Sequence, residues 1–159
     1  MRMKKHKNWD TVMDYASGIV SGKIRANKYR VLGCERFLKD LENPAYEFNP
    51  HDAEFCINII ERTLCHQQGE MRDGTPLRGT PFFLMPFHKF IVYNLLGFKL
   101  KGTIINRFHE CLIFIPRKNV KTSFAGALAY ALGLLYRMSG SKIYVVAAAQ
   151  KQTLETFNF

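Results

Sequence analysis

Apolar residues recur at helical spacing through the first third of the chain. Trp9, Val12, Met13, Ala16, Ile19 and Val20 fall on one face and predict a helix over residues 9–21, ended by Gly22 and the polar stretch near Asn27. Val31, Leu32, Cys34, Phe37, Leu38 and Leu41 predict a second helix over 29–41, stopped by Asn43-Pro44. A third opens at Asn49-Pro50: Asn49 caps free amides, and Pro50 suits the first helical position. Phe55, Cys56, Ile59, Ile60 and Leu64 form its inner stripe; Glu54, Glu61 and Arg62 form its solvated face. Residues 67–80 are polar and glycine-rich, with turn signals at Asp73-Gly74 and Thr75-Pro76.

That loop is the best boundary, because the pattern changes after it. Pro86 starts a helix that Gly97 ends, and residues 99–105 read as a short strand or hairpin arm. Residues 110–115 are a continuous apolar run, the pattern of a strand buried on both faces of a parallel sheet. A loop follows, then a helix over 122–137, a turn at Ser139-Gly140-Ser141, and a second strand over 142–149. Gln150 starts a further helix. The expected fold class is therefore α/β, with a partial parallel sheet preceded by an N-terminal helical region. Three regions result: a basic tail (1–8), an N-terminal helical region (9–80) and an α/β region (81–159).

The chemistry concentrates where the run 110–115 gives way to the helix. Amide groups at a helix N-terminus attract phosphate, and a lysine beside them adds a mobile positive charge. Lys121 and Thr122 stand at that junction, the hydroxyl of Thr122 being suited to Mg²⁺. Pro116, Arg117, Lys118, Asn119, Val120 and Ser123 complete the candidate phosphate loop. The pattern G-x-x-x-x-G-K-[ST] has glycine where this chain has Ile115 and Val120. If position 120 needs φ > 0, a β-branched residue is costly there; if not, valine only narrows the approach of the phosphate.

Composition bounds the rest. A 47% hydrophobic and 13% aromatic content predicts a globular chain and excludes a disordered one. A formal net charge of +10 makes a polyanion a natural partner, although a basic protein without one fits as well. No apolar run approaches a membrane span, and no apolar core follows the basic first residues, so a cytoplasmic location with reduced thiols is expected. Cys34, Cys56, Cys65 and Cys111 form no C-x-x-C pair, and Cys65-His66 lacks partners at zinc-finger spacing.

With these residues in view, the chain resembles the N-terminal part of a phage terminase large subunit, over about residues 15–159. I-P-R-K-N-V-K-T resembles the family's P-R-K-N-G-K-[ST] loop, and G-K-I-R-A-N-K-Y-R-V-L-G-C-E-R-F-L-K-D-L resembles its opening segment. Pro86-Phe87-His88 sits where the family often has P-W-Q, a motif that contacts adenine. K-I-Y-V-V-A-A-A-Q-K-Q-T resembles the strand and turn after the loop helix. The resemblance implies an α/β P-loop NTPase fold, ASCE or RecA-like, with an incomplete P-loop ATPase domain over residues 81–159 that powers DNA packaging in a bacterial host, with ATP and Mg²⁺ as cofactors. It also implies double-stranded DNA, the terminase small subunit and the portal protein as partners, and a homo-oligomeric ring in the full-length form. Lys121 and Arg117 would be the catalytic cations, Thr122 the Mg²⁺ ligand through the nucleotide, and Phe87 and His88 the adenine contacts.

The family's acidic water-handling strand and its nuclease domain have no counterpart here, so a truncated phage or prophage product with little ATP turnover is expected. The strands that separate the two apolar runs in such a sheet are also missing, which predicts unpaired edges. Plainer roles stay open beside each functional one. Arg117 reads equally as a solvated loop cation, Phe87 and His88 as a helix start, and Gln150 likewise. The basic tail, and the cluster Arg25, Lys28 and Arg30, read either as DNA contacts or as solvated surface. The alternative for the whole chain is a non-catalytic prophage remnant, or a basic module that binds DNA or a partner.

Overall fold

The computed structural model describes residues 6–71, 73–116, 120–137 and 142–146. Its elements in chain order are α1 (Trp9–Val20), α2 (Lys28–Glu42), β1 (Tyr46–Phe48), α3 (His51–Thr63), α4 (Pro86–Gly97), β2 (Phe98–Leu100) and α5 (Lys121–Leu135). They fall into two compact units. The first holds the chain to Glu54 together with Leu84–Cys111; the second holds Phe55–Phe83 and the chain from Leu112.

The helices of the first unit start where their caps dictate. Asn27 accepts a hydrogen bond from the Arg30 amide (2.9 Å), and Asn49 accepts one from the His51 amide (3.0 Å). Pro86 occupies the first turn of α4. α1 packs on α2 and α4, burying Val12, Ala16 and Ile19 against a core that includes Cys34, Phe37, Val92 and Leu96. Phe48 lies at the centre of an aromatic cluster, 4.9 Å from Phe98 and 5.3 Å from Trp9 between ring centroids. A Cβ on Gly97 would lie 2.6 Å from the Phe48 ring, so that ring requires glycine at the end of α4.

β1 was not legible in the sequence. It pairs antiparallel with β2, placing Tyr46 opposite Leu100 and Phe48 opposite Phe98. Residues 105–107 return along β2: Arg107 donates its amide to the Phe98 carbonyl at 2.9 Å. The Arg107 guanidinium pairs with Asp40 and lies 4.0 Å from the centre of the Tyr46 ring. Glu54, expected on a solvated face, is buried at 7% exposure. It accepts from the Asn8 amide and side chain, both at 2.8 Å, and from the Tyr93 hydroxyl. Its spacing held the signal, since Glu54 precedes the buried Ile57 by three residues and so shares its face.

In the second unit, α3 contributes Cys56, Ile57 and Ile60 to the core. The glycine-rich stretch is ordered by its own hydrogen bonds. His66 and Thr80 pair at 2.9 Å, Phe82 donates to Leu64 at 2.9 Å, and Asp73-Gly74 forms the tip, with Gly74 at φ 83°. α5 buries Phe124, Ala127, Leu128 and Ala131.

The α/β P-loop NTPase expectation is overturned. Among the described residues the only named sheet is the two-stranded antiparallel pair β1–β2, and no parallel sheet is present. The run 110–115 forms no strand there: Leu112 and Phe114 are 92% and 94% exposed. Residues 142–146 form none either, with Tyr144 at 79% and Val146 at 92%. Residues 147–149 of that expected strand, and the expected helix from Gln150, lie outside the described residues. The physical reason is that a strand's amides and carbonyls bond to neighbours. An apolar run therefore specifies a strand only when partner strands accompany it. No helix among the described residues is long and apolar enough to cross a membrane.

Candidate functional site

Of the expected strand–loop–helix junction, the described residues hold the helix N-terminus. The first backbone bond of α5 runs from the Phe124 amide to the Val120 carbonyl at 2.9 Å. The amides of Lys121, Thr122 and Ser123 thus precede the intrahelical ladder. No side chain caps the position at Val120, and the first turn holds no acidic residue. Lys121 and Thr122 are exposed; Ser123 is half-buried.

Val120 decides the character of this terminus. Its φ of 57° and ψ of 22° place it in the left-handed region, and among the described residues it is the one non-glycine residue with positive φ. Such a conformation in a β-branched residue costs on the order of 1–3 kcal/mol. The backbone therefore adopts the bend that the pattern's glycine serves, although the side chain is valine. Pro116 is exposed on the near side of the loop, while Arg117, Lys118 and Asn119 lie outside the described residues, as does Gln150.

No family model, curated protein or solved structure matches the chain. The site therefore rests on its own residues. The donor set fits a phosphate: three consecutive amides before the ladder, the positive end of a 15-residue helix, and the Lys121 ammonium. Its fit to Mg²⁺ goes through the Thr122 hydroxyl and a bound nucleotide. Among the described residues no group of three or more His, Cys, Asp or Glu side chains is arranged to hold a metal by itself.

Phe87 and His88 belong to the first unit, and Val120, Lys121 and Thr122 to the second. His88 is 2% exposed, and its Nδ1 accepts from the Met85 amide at 3.3 Å, closing the start of α4. Burial holds its imidazole neutral by pushing its pKa from 6.5 down to about 4. Phe87, half-buried beside it, is the more accessible ring of the two.

Proposed function

We propose that the first turn of α5 grips the phosphates of ATP, and that the chain is the ATP-handling portion of a DNA-packaging motor of the phage terminase kind. The left-handed bend at Val120, directly before Lys121 and Thr122, carries this reading. A strained backbone is retained where the surrounding structure uses it. The likeness of I-P-R-K-N-V-K-T to P-R-K-N-G-K-[ST] supports the same assignment. A helix terminus attracts anions without any particular sheet behind it, so the loss of the parallel sheet does not remove the grip.

In this reading the amides of residues 121–123 and the Lys121 ammonium hold the β- and γ-phosphates, and Thr122 lends its hydroxyl to Mg²⁺. Mg²⁺ supplies neutralisation of phosphate charge when bound. Arg117 adds a second cation in the loop. The motor's substrate is double-stranded DNA, its partners are the small subunit and the portal protein, and its assembly is a ring.

Titration of the purified chain with a fluorescent ATP analogue and Mg²⁺ tests the reading. Saturable binding is expected, weakened about tenfold or more by Lys121→Ala. Val120→Gly keeps or tightens binding, because glycine adopts the bend without strain. Binding that is absent, or indifferent to Lys121→Ala, contradicts the grip.

A second reading is a non-catalytic basic module that binds DNA or a protein partner. The exposure of Leu112 and Phe114, where a nucleotide-binding sheet would bury them, favours it. DNA binding with no response to nucleotide would select this second reading.

A further inference from the structure

We infer that the turn joining α1 to α2 is a docking surface for the phosphate backbone of nucleic acid. Lys23, Arg25, Lys28 and Arg30 fall within eight residues, and no carboxylate occurs in sequence between Asp14 and Glu35. All four side chains are exposed, and none forms an ion pair among the described residues.

The turn holds these cations on a fixed frame. Gly22 takes φ 78° at the end of α1, and the Ile24 amide returns to the Gly18 carbonyl at 2.8 Å. The Ile24 side chain lies so close to Gly18 that a Cβ there would meet it at 2.9 Å. Asn27 then fixes the start of α2, and Arg30 donates to the Tyr15 hydroxyl at 2.6 Å. Helix stability does not explain the charges of Lys28 and Arg30. Lys28 and Arg30 stand in the first turn of α2, where the helix dipole disfavours cations.

Between them Tyr29 is 82% exposed, an aromatic face among cations. That combination suits a phosphate chain, with the ring against sugar or an unstacked base. An anionic membrane fits less well. Surface-bound helices lay an apolar face into lipid, whereas α1 and α2 turn Val12, Ala16, Ile19, Cys34 and Phe37 into the core, and the apolar residues left about the turn, Val20, Ile24 and Leu32, are 37–48% exposed. Recognition through phosphates is independent of base sequence. The inference rests on the nucleic-acid partner of the reading above, but not on the nucleotide grip.

Fluorescence anisotropy of labelled duplex and single-stranded oligonucleotides, followed across salt concentration with the full chain, tests it. The triple variant Lys23→Gln, Arg25→Gln, Lys28→Gln is expected to bind at least about tenfold more weakly near ~100 mM salt. Its slope of log affinity against log salt should fall by about 2–3 for duplex. A charge-matched control, Lys39→Gln, Arg62→Gln, Lys101→Gln, should lose less than about threefold, with all thermal midpoints preserved. Tyr29→Ala separates the sources: a larger loss on single strands points to base stacking, an equal small loss to duplex backbone, and either upholds the surface. Equal losses in the triple variant and its control overturn the inference. So does failure of the unsubstituted chain to bind either oligonucleotide, or a triple-variant effect seen only with anionic vesicles. ATP-analogue binding by the same triple variant is expected to persist. Loss of the nucleotide grip therefore sinks that reading alone, and loss of turn-dependent oligonucleotide binding sinks this one alone.

Discussion

Phe37 lies among charged residues, in C-E-R-F-L-K-D, and Phe114 in the apolar run C-L-I-F-I-P, yet Phe37 is 0% exposed and Phe114 94%. The first belongs to a helix that bonds its own backbone and needs only side-chain partners. Those partners lie nearby in the first unit: Phe90 at 5.3 Å, Phe98 at 5.7 Å and Phe48 at 6.1 Å. The second belongs to a segment with no helix or strand of its own, which as a buried strand would need neighbours for its amides and carbonyls. Burial is thus set by whether a segment can satisfy its backbone where it stands, as well as by how apolar it is.

Three substitutions sharpen that contrast. The largest effect is expected in the first unit, at Arg107, whose side chain is 16% exposed and pairs with an Asp40 side chain 9% exposed. Arg107→Ala leaves that carboxylate without its close partner and strips a cation from Tyr46 and Phe108. Urea unfolding should register a loss of about 3–5 kcal/mol. A loss below about 1 kcal/mol would show that this unit is not held as described.

A pH effect follows from His88. The unfolded chain takes up that proton near 6.5, the folded chain only near 4. Stability contributed by the neutral ring is therefore intact above 6.5 and declines as pH falls from 6.5 toward 4. His88→Gln should flatten that decline in urea midpoints measured across the same window; an unchanged profile would assign it to other groups.

The smallest effect belongs to the apolar run around Phe114. Phe114→Ala should shift the unfolding free energy by no more than ~0.5 kcal/mol, because the ring is already in solvent. A loss like that expected at Arg107 would mean that the ring is buried in solution.

The sequence was most legible where an element is self-contained. α1, α2, α3 and α4 follow from helical spacing and, for α3 and α4, from Asn49-Pro50 and Pro86, local signals that act within one turn. β1 was hidden because Tyr46–Phe48 is a strand only through pairing with Phe98–Leu100, about fifty residues away. Glu54 was misplaced because a carboxylate reads as solvated until its partners, Asn8 and Tyr93, are known. The parallel sheet failed because a continuous apolar run names no partner. At the candidate site, the position of Lys121 and Thr122 at a helix start was readable from the loop pattern. The left-handed backbone of Val120 was not, since valine's own preference points away from it.

The central claim is that the first amides of α5 hold phosphate. It is tested most directly by following amide resonances of the isotope-labelled chain during titration with ADP and Mg²⁺. Saturable shifts concentrated on Lys121, Thr122 and Ser123, lost in Lys121→Ala, are the expected result. Nucleotide at saturating concentration that leaves those three amides unmoved would contradict the account.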